Sequence, residues 1–130
     1  EAVHGLEVSL PLAAVLGPIA FTSTLVSAAY AEMYPEVVQS FVNALTESMQ
    51  LLHANPEVYA RVSAQEFDQV PAPAIEAGAK RLLGAEGVVP RDPMLTPQEW
   101  DAIVRGQGDY ATLVDMSYAE RAIAALVNKG

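Results

Sequence analysis

Three proline-acid phrases constrain the fold more than any other feature of this chain. Pro35-Glu36, Pro56-Glu57 and Pro97-Gln98-Glu99 each place a proline where a first helical turn needs no N–H donor. The acid beside it faces the positive end of the helix dipole. Each phrase therefore predicts a helix start, and from Pro35 onward the chain is expected to be helical. In the first helix Val38, Phe41, Val42, Leu45, Met49 and Leu52 follow the three-and-four rhythm of one buried stripe. Asn55 is placed to cap the second. Thr96 with Glu99, and Ser117 with Glu120, have the spacing of capping boxes. A further helix is predicted from Pro73 to Leu83, ending at Gly84. A last one from Tyr118 to about Val127 should bury Ala122, Ile123 and Leu126. Between Gly84 and Thr96 lies a loop rich in Gly and Pro. Neither an internal repeat nor a low-complexity segment interrupts this order.

Before Tyr30 the pattern changes. Val8 to Ala31 carries no charge, but Pro11, Gly17 and Pro18 break it and hydroxyl residues dot it. Those interruptions argue against a membrane span, and the missing basic leader argues against a signal peptide. Two buried strands around a Gly-Pro turn are expected instead. Leu6 to Leu10 alternates weakly, and Ala20 to Ser27 places apolar side chains on both faces, Phe21 and Leu25 against Val26. A strand covered on both sides needs neighbours in a sheet, and no further strong strand follows. The expectation is that this chain forms part of a larger α/β protein.

The sequence has 130 residues, 52% of them apolar and 18% charged, a globular balance with enough length for a core. Its formal charge of -9 and scattered Lys and Arg argue against nucleic acid or an anionic membrane as partner. Cysteine is absent, which removes disulfides, thiolate metal sites and cysteine nucleophiles. His4 and His53 are the only histidines and have no ligand-spaced partner, so no metal and no cofactor is expected. His53 fits the end of the first helix, beside its last carbonyls. Glu99 and Asp101 are two apart and do not share a helix face. The chain has no nucleophile elbow, phosphate loop or dinucleotide fingerprint. Gly106-Gln107-Gly108 reads as a helix stop and Trp100 as a core anchor. Thr22, Ser23 and Thr24 form the one polar cluster in an apolar strand, placed either to face a cleft or to bond backbone.

The order of these phrases resembles the carboxy-terminal half of the substrate-binding proteins of nitrate/sulfonate/taurine-type ABC importers, a group that includes binders of thiamine-pyrimidine precursors. The resemblance rests on Gly17 to Thr24, then Tyr34-Pro35-Glu36-Val37-Val38, Phe41 to Leu45 and Ala54-Asn55-Pro56-Glu57. Leu95 to Trp100 and Val114 to Ala119 extend it. It implies an α/β fold, mostly helical in this segment: the end of a periplasmic-binding-protein type II clamshell, with one or two strands followed by about five helices. Residues 1–18 would finish a second-lobe strand and form the hinge crossover. Residues 19–130 would supply the last strand and covering helices of the first lobe. Gly17, Pro18, Thr22 and Ser23 would then border the ligand cleft.

Family members are roughly twice this length or more, so the first lobe's earlier strands and most of the second lobe would lie elsewhere. The function implied is capture of a small anionic or heteroaromatic solute by lobe closure, without catalysis, in a periplasmic or extracellular location. An ABC permease would be the partner. Two other readings stand beside it. One is a short helical interaction or scaffold module that oligomerises to cover its apolar surface, in which case a second copy is the partner. The other is a pyrimidine-precursor synthase-like enzyme, which the missing cysteine disfavours.

Overall fold

The computed structural model describes residue 15 and residues 22–84 and 88–128. Seven α-helices account for most of them: α1 (Ala28–Met33), α2 (Pro35–Ala54), α3 (Pro56–Glu66), α4 (Ala72–Leu83), α5 (Pro97–Val104), α6 (Tyr110–Leu113) and α7 (Ser117–Val127). Among the described residues there is no strand, so the mostly helical expectation holds while the strand over Ala20 to Ser27 is not formed across residues 22–27. Those residues are exposed and irregular, Leu25 at 85%. β-Branched side chains favour a strand only when neighbours cover the pleat, and among the described residues no strand lies beside them. Ser27 instead caps α1, its Oγ accepting from the Tyr30 N–H at 3.2 Å. Apart from residue 15, the first predicted strand, the hinge and the 1–18 boundary lie outside the described residues.

The proline phrases open helices as expected, with Pro35, Pro56 and Pro97 at the first position of α2, α3 and α5. Thr96 and Glu99 close a full capping box: Thr96 Oγ1 accepts from the Glu99 N–H at 3.2 Å, and Glu99 Oε2 accepts from the Thr96 N–H at 2.8 Å. Asn55 occupies the cap position of α3, yet its side chain makes no cap bond. At α7 the predicted box is replaced by a neighbouring acid. Ser117 is the first helical residue, and Asp115 Oδ1 accepts its N–H at 2.9 Å. An acceptor two residues upstream reaches that donor before Glu120 can fold back to it.

The long helix α2 organises the packing. It contacts α7 along one side and α3 on another, while α3 and α4 form a hairpin of their own. α2 and α3 are joined through Asn55 alone, whose N–H still reaches the Leu51 carbonyl at 2.8 Å. Small side chains sit at the helix contacts: Ala119 and Ala122 on α7, Ser63 on α3, Ala79 with Ile75 on α4, and Thr46 at 0% exposure on α2. Thr46 Oγ1 donates to the Val42 carbonyl at 2.7 Å, so its burial leaves no unmet donor. Gly78 on α4 leaves room for Tyr59, whose hydroxyl lies 3.7 Å from where a Cβ would be.

The expected stripe of α2 is half-buried at Val38, Val42, Leu45, Met49 and Leu52, but Phe41 is exposed at 51%. The wall against α7 is turned toward Thr46, which leaves Phe41 on the outer side. On α7, Ala122 is buried, with Ile123 and Leu126 half-buried.

The segment after α4 turns back on α2. His53 Nε2 lies 3.0 Å from the Val89 carbonyl and 3.2 Å from that of Pro90, which makes Nε2 the protonated nitrogen. His53 thus serves loop carbonyls, rather than those of its own helix. Further on, the Trp100 indole donates to the Gly108 carbonyl at 3.1 Å and Tyr110 donates to the Leu95 carbonyl, locking α5 to α6. α5 stops where Arg105 turns left-handed (φ 48°), followed by Gly106 (φ 79°) and Gly108 (φ 141°). Gly106-Gln107-Gly108 is the helix stop the sequence implies.

Candidate functional site

The polar network of longest sequence reach joins α2 to α7. Gln39 is its centre. Its amide nitrogen donates to Asn43 Oδ1 at 2.9 Å and to the Tyr118 carbonyl at 3.0 Å. Its oxygen accepts from Arg121 Nε at 2.7 Å. The Arg121 guanidinium in turn lies over the Tyr118 ring, 4.6 Å from its centroid, in cation–π geometry. Asp115 is held below the usual carboxylate range by hydrogen bonds from Ser117, side chain first and then backbone, with the charge of Arg121 adding to them.

Beside this network is an open recess of about 330 Å³, lined by Pro35, Glu36, Gln39, Tyr118 and Arg121. It offers one oriented cation, one carboxylate and an aromatic face. Such a set can hold a small polar ligand but supplies no activated nucleophile. His53 is engaged by the Val89 and Pro90 carbonyls and does not line the recess. Among the described residues no group of three or more His, Asp or Glu is arranged to hold a metal ion. Nor is any described helix long and apolar enough to cross a membrane.

Of the sequence-predicted site residues, Thr22 and Ser23 are exposed and line no part of this recess, and Gly17 and Pro18 lie outside the described residues. Gln39 and Arg121 were passed over by sequence reasoning. One sits on a polar helix face and the other in a short terminal helix, and nothing in their spacing announces that they meet.

A second feature lies on the outer side of α2. Tyr34, Val37, Phe41, Ala44, Ser48 and Leu51 recur at alternating steps of three and four, and all six are exposed. The larger ones show about half their surface: Tyr34 46%, Val37 52%, Phe41 51% and Leu51 49%. Tyr30 on α1 extends the stripe, its ring 5.0 Å from that of Tyr34. No charged residue falls on these positions. A helix in water ordinarily turns such a stripe inward. Here the inward side is already occupied by the Thr46 face, so α2 carries apolar side chains on two sides.

The described residues form a helical assembly whose longest helix leaves an apolar stripe exposed. Compared with protein-family models, curated proteins and solved structures, the chain matches none.

Proposed function

We propose that this chain is a non-catalytic interaction module that docks through the outer stripe of α2. The observation that carries the reading is the stripe of six uncharged positions from Tyr34 to Leu51, exposed along most of a 20-residue helix. Isolated exposed apolar residues are ordinary, whereas a continuous stripe at coiled-coil spacing is the surface a partner helix fits. Placing a photo-crosslinking phenylalanine analogue at position 41 of the native protein in its own cells tests it. A discrete adduct is expected from position 41 and none from position 65 on the exposed side of α3. Equal labelling at both positions would refute docking through α2.

A second reading, solute capture for an ABC importer in a periplasmic or extracellular setting, is favoured by one observation: the Arg121 guanidinium borders a recess of small-ligand size. A thermal-shift screen against sulfonates, nitrate, bicarbonate and pyrimidines tests it. A shift abolished by Arg121→Gln supports this reading, and no shift from any of them removes it.

A further inference from the structure

The outer stripe of α2 is complementary to itself, and we infer that its partner is a second copy of this chain, paired antiparallel about a two-fold axis. The inference rests on the docking reading above and names the occupant of that surface. The shape argument comes from the order of side-chain sizes along the stripe. Bulk lies at Tyr34, Val37 and Phe41, then Ala44 and Ser48 are small, and Leu51 closes the far end. A two-fold axis level with Val42 and Asn43 sets Phe41 against the partner's Ala44, Val37 against the partner's Ser48, and Tyr34 against the partner's Leu51. Every large side chain of the first half then meets a small or complementary one, as an isologous contact requires. Parallel pairing in register would stack Phe41 on its own copy and leave Ala44 and Ser48 facing a gap.

Charge does not oppose the pairing: none of the six stripe positions is charged, so no carboxylate is set against another within the contact. The contact from Tyr34 to Leu51 spans about 25 Å of helix. With Tyr30 included, the exposed side chains amount to about 500–600 Å² on each copy, so the contact buries at most about 1,000–1,200 Å² for the pair, the low end for a specific interface. An interface of that size, between two chains of formal charge -9, associates in the micromolar range and strengthens with added salt as their repulsion is screened. A dimer held by ion pairs would weaken instead.

Sedimentation of the purified full chain from about 1 to 200 μM tests the inference, over a range that brackets the affinity expected of so small an interface. A dimer is expected, tightening between low salt and about 0.5 M sodium chloride. Phe41→Glu should weaken it at least tenfold with helix content unchanged, because Phe41 lies outside the core. Glu57→Gln on α3 should leave it as it is. Because the chain has no cysteine, introduced thiols report the register directly. Under oxidation a mixture of Phe41→Cys and Ala44→Cys chains should form the mixed disulfide in preference to either self-disulfide. A monomer at every concentration overturns the dimer, as does a dimer indifferent to Phe41→Glu. Preferential Phe41→Cys self-disulfides overturn the antiparallel register. A cellular adduct at position 41 whose mass is not twice that of the chain would sink the self-pairing alone and leave docking through α2 intact.

Discussion

Replacing Gln39 by alanine removes the one side chain that ties α2 to α7 with both ends of its amide. Three hydrogen bonds disappear, to Asn43, the Tyr118 carbonyl and Arg121. Each partly buried bond of this kind is worth roughly 0.5–1.5 kcal/mol net, and the one to Arg121 is at the low end because it is solvent-exposed. Alanine recovers part of the loss, since the glutamine rotamers no longer need ordering and alanine is the better helix former by a few tenths of a kcal/mol. A net destabilisation of about 1–2 kcal/mol remains, which for a chain this long corresponds to a fall in Tm of about 4–8 °C.

Urea unfolding followed by circular dichroism is the assay, with an unchanged slope expected. Arg121→Ala in the same background completes a double-mutant cycle, and a coupling of about 0.5–1 kcal/mol between the two positions is expected. A Gln39→Ala protein within about 0.3 kcal/mol of the parent, with no coupling to Arg121, would show that the α2–α7 clasp is not formed in solution.

The α5–α6 turn gives a pair of opposite outcomes. Gly108→Ala should destabilise by at least about 1–2 kcal/mol, since the added Cβ would lie 2.9 Å from Leu113 Cδ1 at a φ of 141°. Arg105→Gly should raise stability by up to about 1 kcal/mol by relieving a left-handed arginine, and thermal melts distinguish the two. Thr96→Ala, which opens the capping box, should cost about 1 kcal/mol by chemical denaturation. Glu99 is held below the usual carboxylate range by the hydroxyl and then the backbone N–H of Thr96. Its depressed folded-state pKa means that its contribution is present above the unfolded value and is lost as pH falls through the folded one. Denaturation midpoints measured between about pH 5 and about pH 3 should therefore decline less steeply in Glu99→Gln than in the parent, and identical slopes would count against the box.

The helices were legible in the sequence because their ends are local chemistry. Pro35, Pro56 and Pro97 each remove a donor the first turn does not need, and Thr96 with Glu99 satisfies its neighbours within four residues. What failed was everything that depends on distant partners. The run from Thr22 to Ser27 has strand-like composition, but a strand exists only beside another. Ser27, read as the strand's end, caps a helix instead. Phe41 fits the periodicity of a buried stripe, and periodicity alone could not tell which of two apolar sides of α2 would meet α7. The burial of Thr46, a polar residue, decided it. Gln39 and Arg121 are 82 positions apart and meet only because Ala119 and Ala122 let α7 approach α2 closely.

The scarcity of large side chains at those helix contacts has a thermodynamic consequence. The heat capacity of unfolding measures how much apolar surface goes from dry to wet, about 12–15 cal/mol/K per residue in ordinary domains. Here Leu51 is about half wet and Phe41, Val37, Met33 and Phe67 more than half in the folded chain, and alanine, serine and threonine fill much of the interior. Unfolding the isolated chain therefore releases less hidden apolar surface than its length suggests. Its stability curve should be flatter with temperature, its urea slope shallower and its calorimetric transition broader. Association along α2 would steepen all three by drying the side chains that the lone chain leaves in water.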